Sequence, residues 1–318
     1  MNYSIIVKED CATCQLVVPV IKQLQTDDEL TIYSQDNVQF PAGVSVIDDT
    51  ELEYSWRRRI ETVPTLIKFD VNGAEISRVV GWDKNEWQVL TGRPLGFDLP
   101  NFRPGCGSKS VDPGMPEKLS ARFDRDKLQS RQVSVSTEED DIEACYERGW
   151  SDGLPVVPPT AERVMRMLTG TSRSPEEVVG IVPPDLVTCT IEKIAINAVL
   201  AGCKPEYLPV VIASVEAALQ DEFCMHGLLA TTYYSGPLVI VNGPLSRAIG
   251  MNSRGNVLGQ GNRANATIGR ALQLVIRNVG GGNPGGVDRS AFGNPGKYTY
   301  CFAEDETNSC WESLAVEK

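Results

Sequence analysis

The 318-residue sequence has only one histidine, His226, and only one pair of cysteines with the spacing Cys-x-x-Cys, Cys11 and Cys14. A structural zinc site commonly needs four cysteine or histidine ligands arranged as two such closely spaced pairs. The scarcity of these ligands argues against a zinc site. We therefore expect neither a metal nor another cofactor.

Long apolar runs and clusters of basic residues are also scarce. No stretch approaches the roughly 18 apolar residues of a membrane-spanning helix, and no secretion signal is recognisable at the start. The 42 acidic residues outnumber the 30 basic ones, so the formal net charge is −12 at pH 7. A chain of this charge without a basic stripe is not expected to bind nucleic acid or an anionic membrane. These features predict a cytoplasmic protein.

Cysteine, in contrast, occurs nine times, an odd number scattered over the whole chain. This distribution favours reduced thiols over a disulfide scaffold. The pair Cys11 and Cys14 follows an apolar run at 3–7, which predicts a strand, and precedes a run at 15–24, which predicts a helix. Because backbone N–H groups at a helix N-terminus stabilise a thiolate, we predict dithiol-disulfide exchange. Cys11 is the expected nucleophile and Cys14 the resolving thiol, although Asp10 should oppose thiolate formation.

Further along the chain, Val63-Pro64-Thr65 leads into a second apolar run at 66–69. Asn72-Gly73 then separates this run from an alternating run at 75–81, which is a strong hairpin signal. With these motifs, the stretch 2–91 resembles the thioredoxin/glutaredoxin superfamily.

The resemblance implies a minimal thioredoxin-like α/β domain at 1–92, without the leading strand and helix that are usual in the family. It also implies that Pro64 is cis, faces the dithiol and leaves backbone groups free to bind an extended substrate segment. The sequence departs from ordinary thioredoxins because its dithiol lacks the aromatic residue and the Gly-Pro pair.

A segment rich in proline and glycine, 93–135, predicts an extended connector that carries Cys106. Glycines flank Cys106, and Lys109 and Lys118 follow it, so backbone N–H groups and cations could lower its pKa and make it reactive. Alternating strand and helix patterns at 136–318 predict a second, layered α/β or α+β domain. Its clearest predicted helices are at 190–201 and 207–219, and a start signal at 174–177 predicts a shorter one.

From Cys106 onward the chain also resembles an uncharacterised bacterial group that can carry selenocysteine in a Sec-Gly-Ser-Cys (UGSC) motif. Cys106-Gly107-Ser108 matches the first three positions, and Lys109 stands where the group has its last cysteine. The resemblance implies that the side chain at position 106 carries the reacting sulfur or selenium atom. With lysine at the fourth position, a resolving thiol would have to come from Cys11 or from elsewhere in the fold.

Two further groups of residues are candidates in the second domain. His226 is a candidate catalytic residue because histidine titrates near neutral pH, although a lone histidine in an apolar stretch is more often structural. The stretch from Gly259 matches a dinucleotide-binding pattern, but no predicted strand directly precedes it. We predict instead an anion site for a substrate carboxylate or phosphate, the alternative being a tight loop with solvated arginines. Its candidate residues are Gly259, Gly261, Arg263 and Arg270.

These interpretations combine into one expected function. The Cys11/Cys14 dithiol would reduce Cys106, which serves a second domain that acts on a small electrophilic or oxidised substrate. The expected partners are therefore a small-molecule substrate or a thiol or disulfide partner. The alternative is a redox-sensing or ligand-binding module without turnover.

Overall fold

A computed structural model of the chain describes residues 2–25, 30–124, 128–136 and 138–317. The chain is a mixed α/β protein that divides into two compact units, Met1–Phe123 and Asp124–Lys318. Residues 93–123 of the predicted connector therefore belong to the first unit. None of the helices in the described residues is long and apolar enough to cross a membrane.

The first unit contains a five-stranded sheet with the order β3-β2-β1-β5-β6. Strands β1, β2 and β3 are parallel, whereas β5 runs antiparallel to β1 and to β6. Two short pairs, β4 with β9 and β7 with β8, are also antiparallel. The strands are β1 (Asn2–Val7), β2 (Leu30–Ser34), β3 (Ile47–Asp48), β4 (Thr62–Val63), β5 (Thr65–Phe69), β6 (Glu75–Val80), β7 (Trp82–Asp83), β8 (Phe102–Arg103) and β9 (Cys106–Gly107).

The helix predicted at 15–24 is two helices, and it begins earlier than expected, directly after Cys11. The first ends with Val17 as its C-cap, and Pro19 lies in the first turn of the second. Proline has no N–H to continue the hydrogen-bond ladder, so it is tolerated only in a first turn. The helices of this unit are α1 (Ala12–Leu16), α2 (Val18–Gln25), α3 (Glu53–Arg57), α4 (Lys84–Thr91) and α5 (Met115–Phe123).

The predicted hairpin around Asn72-Gly73 is present as β5 and β6. Behind it, Trp82 and Trp87 are fully buried and meet edge to face, with ring centroids 5.0 Å apart. The indole N–H of Trp82 donates to the Pro100 carbonyl at 2.6 Å, and Leu95 is also fully buried. The start of the predicted connector is therefore part of the first unit's core.

The second unit is dominated by helices, with two separate two-stranded sheets. β10 and β11 are antiparallel, and β12 and β13 are parallel. The elements are α6 (Asp141–Glu147), α7 (Ala161–Leu168), β10 (Val178–Val182), β11 (Val187–Thr190), α8 (Ile191–Ala201), α9 (Leu208–Ala218), α10 (Met225–Ala230), β12 (Val239–Val241), α11 (Pro244–Ala248), α12 (Arg263–Asn278), β13 (Cys301–Ala303) and α13 (Leu314–Glu317).

The core of this unit is formed by α8, α9 and α12, whose apolar faces pack together. The Thr190 side chain caps α8 by accepting the N–H of Lys193, and Gly202 ends it with a left-handed φ of 86°. The helix predicted at 174–177 is wrong, because that segment forms only a turn, closed by a hydrogen bond from Glu177 N–H to the Ser174 carbonyl. A start signal without a following apolar face does not maintain a helix.

Candidate functional site

Cys11 is the N-cap of α1, directly after the loop that leaves β1. Its backbone is extended (φ −149°, ψ 111°), and its sulfur accepts the backbone N–H of Cys14 at 3.3 Å. An N-cap acceptor satisfies one of the unpaired N–H groups of a first helical turn. The sequence motif therefore places the Cys11 sulfur where backbone dipoles favour a negative charge.

Hydrogen bonds lower the pKa of Cys11 to about 5. The largest cause is the hydrogen bond from the Cys14 thiol; burial opposes it, and hydrogen bonds from the Cys106 thiol and from the N–H groups of Cys14 and Thr13 lower the pKa further. Burial, followed by the hydrogen bond to Cys11, instead raises the pKa of Cys14 well above its ordinary value. Cys11 is thus the thiolate of the pair and Cys14 the protonated thiol.

Val63, the residue before Pro64, contacts Cys11. The Val63–Pro64 peptide is cis, and the Val63 carbonyl oxygen is 3.6 Å from the Cys11 sulfur. The Pro64 carbonyl accepts the N–H of Gly81 at 2.7 Å, which links the loop to the end of β6. The residue before Pro64 therefore forms one wall of the Cys11 site.

Cys106 lies in β9, which pairs antiparallel with β4. The register places Cys106 opposite Val63 and Gly107 opposite Thr62. Cys106 packs against the cluster of buried residues that contains Cys11, and a hydrogen bond from its thiol lowers the pKa of Cys11. The structure thus brings together three cysteines that are far apart in the sequence.

The expected environment of Cys106 was wrong in two respects. It is half-buried in a short strand and does not lie in an extended connector. Its pKa is raised, chiefly by burial and next by the hydrogen bond to Cys11, while Lys8 opposes the change. Cys106 is therefore a protonated thiol that donates to the Cys11 thiolate.

Close packing holds the chain before Cys106 in place. The Thr13 hydroxyl donates to the Pro104 carbonyl at 2.7 Å. A Cβ atom at Gly105 would lie 2.4 Å from the Thr62 methyl carbon and 2.7 Å from the Val63 carbonyl oxygen. These distances are too short for any side chain, so glycine at 105 is required for β9 to approach β4 this closely.

A buried polar network holds the chain after Cys106. The Gln35 side-chain amide donates to the hydroxyls of Ser55 and Ser108, both at 2.7 Å, and its oxygen accepts the N–H of Lys109 at 3.0 Å. Ser110 donates its hydroxyl hydrogen to the Ile60 carbonyl at 2.5 Å. Sequence reasoning missed Gln35 and Thr13 as positioning residues, because no motif connects them with the segment that they bind.

The dithiol is shielded from solvent. Cys11 is 3 % exposed and Cys14 is fully buried, whereas Cys106 is only half-buried. Cys106 is therefore the most accessible of the three sulfurs.

The second unit holds His226, the other candidate catalytic residue. His226 is exposed in α10, next to exposed Cys224, which has a left-handed φ of 52°. Among the residues that the structure describes, no other titratable side chain forms a hydrogen bond or ion pair with His226. Its predicted catalytic role has no structural support here.

The predicted anion site at the start of α12 needs correction. The guanidinium of Arg270 forms a bidentate ion pair with Asp152 at 2.8 Å for both bonds, and the two side chains are only 14 % and 11 % exposed. Burial would raise the pKa of Asp152, but the hydrogen bonds and charge of Arg270 hold it below its ordinary range. The charge of Arg270 is therefore neutralised within the protein.

The other three candidates do not form an anion site with Arg270. Arg263 is exposed and donates to the Gly202 carbonyl at 3.0 Å. Gly259 closes a turn against the Asn256 side chain, and Gly261 has a left-handed φ of 114°. The glycines are thus explained by backbone geometry, as the alternative of a tight loop predicts.

Within the described residues, no group of three or more histidine, cysteine, aspartate or glutamate side chains could hold a metal ion. Comparison of the chain with protein-family models, with curated proteins and with solved structures gave no match.

Proposed function

We propose that the chain is a thiol-disulfide oxidoreductase whose first unit is thioredoxin-like and whose Cys11/Cys14 dithiol reduces Cys106 of the same chain. The observation that carries the proposal is the pairing of β9 with β4, which presents the Cys106 thiol to the Cys11 sulfur. The cysteine pair at the start of α1, directly after β1, also supports the thioredoxin-like assignment.

The pairing of β9 with β4 resembles strand addition, in which an extended segment binds through its backbone to an exposed edge. Here the segment belongs to the same chain, so the dithiol has its substrate sulfur already in place. An internal substrate explains how a dithiol that is almost fully buried can act. A reactant tethered to the same chain commonly has an effective concentration of roughly millimolar, and it needs no separate binding step.

The proposed reaction starts from oxidised Cys106, as a mixed disulfide with a small thiol. The Cys11 thiolate attacks the Cys106 sulfur, the Cys11–Cys106 bond forms, and the small thiolate leaves and takes up a proton. Cys14 then attacks the Cys11 sulfur and releases Cys106, which receives the proton that Cys14 loses. The mixed disulfide is thereby reduced by two electrons to the Cys106 thiol and the small thiol, and the dithiol becomes a disulfide, which an external thiol must reduce again.

The two pKa directions suit these two steps. At neutral pH Cys11 is ionised and can attack, because its pKa is about 5 beside reduced Cys106 and the donors of Cys14 keep it lowered when Cys106 is oxidised. Cys14 stays protonated while the Cys11 thiolate is next to it, since burial and that neighbour raise its pKa. Once Cys11 is in a disulfide its charge is gone, and deprotonation of Cys14 becomes easier.

In this proposal, Cys106 is the thiol that reacts with a small electrophilic or oxidised substrate. The half-buried position of Cys106 supports this role, because it is the most accessible sulfur of the three. Its protonated state at neutral pH favours an oxidised substrate that reacts readily with a thiol over one that needs a strong nucleophile.

The test replaces Cys14 with serine and treats the reduced full chain with oxidised glutathione. Without the resolving thiol, a disulfide between Cys11 and Cys106 should accumulate and be found by peptide mapping under non-reducing conditions. A variant with both Cys14→Ser and Cys106→Ser should instead carry glutathione on Cys11. A Cys14→Ser protein in which Cys11 carries only glutathione would contradict the proposal.

A redox sensor without turnover is the second candidate, and the burial of Cys11 and Cys14 favours it. A sensor would be oxidised once for each chain and would not consume further reductant. Steady consumption of a thiol reductant that needs both Cys11 and Cys106 supports the enzyme. Stoichiometric oxidation that then stops supports the sensor.

A further inference from the structure

The second unit contains a cavity of about 910 Å³ bordered by α7, α8 and the C-terminal end of α12. Binding sites for small molecules commonly have volumes of about 300–1,000 Å³ and largely apolar walls. Apolar side chains form much of this wall: Trp150, Val164, Val187, Ile196 and Leu200. The cavity thus has the size and lining of a site for a ligand with an apolar body.

Arg277, in the last turn of α12, borders this cavity and a second one of about 600 Å³. Its Nε atom is buried without a hydrogen-bond partner. The guanidinium makes no ion pair or side-chain hydrogen bond with any residue that the structure describes. Arg277 is half-buried, so its unpaired Nε–H group costs free energy while the rest of its guanidinium stays free to bind an anion from outside the chain.

Three other charged side chains that line the cavity have partners within the protein. Arg148 pairs with Glu139 at 3.0 Å, and the ammonium group of Lys193 donates to the Thr188 carbonyl at 2.5 Å. Glu192, which is 2 % exposed, accepts two backbone N–H groups at 2.8 and 2.9 Å. Arg277 differs from these three in having a buried donor atom without a partner, and exposed Arg131 is a further cation of the lining.

Hydrogen-bonded polar groups line the same cavity as Arg277. The Asn278 side chain donates to the Trp150 carbonyl at 3.0 Å and to the side-chain oxygen of Asn197 at 2.9 Å. Asn197, which is 3 % exposed, in turn donates to the Lys193 carbonyl at 2.9 Å. These bonds hold this end of the cavity in one arrangement, so a ligand would meet a preorganised wall.

We propose that this cavity binds a small carboxylic acid with an apolar body, whose carboxylate pairs with Arg277. A guanidinium matches a carboxylate with two parallel hydrogen bonds. A doubly charged phosphate fits less well, because the C-terminal end of α12 carries a partial negative charge. Two exposed carboxylates that also line the cavity, Asp141 and Asp185, add to this repulsion. The proposal does not depend on the thiol chemistry of the first unit.

The test uses octanoate as the probe and the full chain in its reduced state, with binding measured by isothermal titration calorimetry. Octanoate should bind in a saturable way, and octanol, which lacks the charge, at least tenfold more weakly. Arg277→Met should weaken octanoate binding at least tenfold, as expected for loss of a charge-assisted hydrogen-bond pair. Arg277→Lys, which keeps the charge without the fork, should retain part of the affinity.

Arg289→Met is the matched control, because Arg289 is exposed in the same unit and lines neither cavity. It should bind octanoate as the unchanged protein does. Equal binding of octanoate by Arg277→Met would overturn the proposal, as would tighter binding of octyl phosphate. Absence of saturable binding by octanoate, hexanoate and 3-phenylpropanoate would overturn it as well. If Arg277→Met fails to fold, the proposal is still tested by Arg277→Lys and by the comparison of octanoate with octanol; octanol binding as tightly as octanoate would overturn it.

Discussion

Replacing Cys106 with alanine should raise the pKa of Cys11, because the Cys106 thiol is one of the donors that stabilise the Cys11 thiolate. A hydrogen bond to a charged group contributes about 1.5–3 kcal/mol, and a thiol is a weak donor, so the lower end applies. One pH unit of pKa corresponds to about 1.4 kcal/mol. The expected increase is therefore about one pH unit, while the two donors of Cys14 keep the pKa below the ordinary value.

Cys106→Ser is the matched control, since a hydroxyl can still donate to the Cys11 sulfur. It should change the pKa of Cys11 less than Cys106→Ala does. The sign of the pH dependence follows from the lowered pKa: the Cys11 thiolate is present above about pH 5 and is lost as the pH falls through that value. The alkylation rate should fall over the same range.

The assay is the rate of Cys11 alkylation by iodoacetamide under reducing conditions, followed by peptide mass spectrometry at a series of pH values. In the unchanged protein the rate should be half-maximal near pH 5. In Cys106→Ala the midpoint should move upward by about one pH unit. An unchanged midpoint, or a downward one caused by easier access of water, would refute the reasoning that Cys106 donates to Cys11.

Two further predictions concern the packing of each unit. Gly105→Ala would place a Cβ atom 2.4 Å from the Thr62 methyl carbon, so the free energy of unfolding measured in urea should fall by about 1–3 kcal/mol. A Cβ atom at Gly107 would meet nothing within 4 Å, so Gly107→Ala should change this free energy by no more than about 0.5 kcal/mol. Equal losses in the two variants would contradict the packing argument. Asp152→Asn should cost about 3 kcal/mol because it leaves Arg270 buried without its anion, and adding Arg270→Met should recover part of the loss. No recovery in the double variant would show that the ion pair is not the cause.

The features that the sequence predicts correctly are local ones. The hairpin around Asn72-Gly73 and the helices near 190–201 and 207–219 depend on turn chemistry, caps and apolar periodicity, which act over a few residues. The position of Cys11 at a helix start belongs to the same class, because the N-cap is defined by its nearest neighbours. The division of the predicted helix into α1 and α2 was missed, although Pro19 could have indicated it, since proline cannot continue a hydrogen-bond ladder.

The arrangement of the thiols was decided by tertiary structure. The Cys-x-x-Cys motif by itself indicates a nucleophile and a resolving thiol, but its spacing says nothing about which other sulfur lies opposite. Cys106 meets Cys11 because β9 pairs with β4, and that pairing depends on Gly105 and on a network centred on Gln35. The same burial that brings Cys106 into place raises its pKa, which neighbouring lysines in the sequence could not indicate.

The sequence also could not show which arginine side chains of the second unit have a partner. Glycines followed by Arg263 and Arg270 indicate an anion site, yet the charge of Arg270 is neutralised by Asp152, which lies 118 residues away. Arg277 belongs to no motif, and its Nε atom is left buried without a partner by the way the helices around it pack. Residue type and spacing determine which local elements form and which side chains can react. Which charges are paired, which thiols are buried and which cavities remain depend on contacts between distant segments, so only the folded chain decides them.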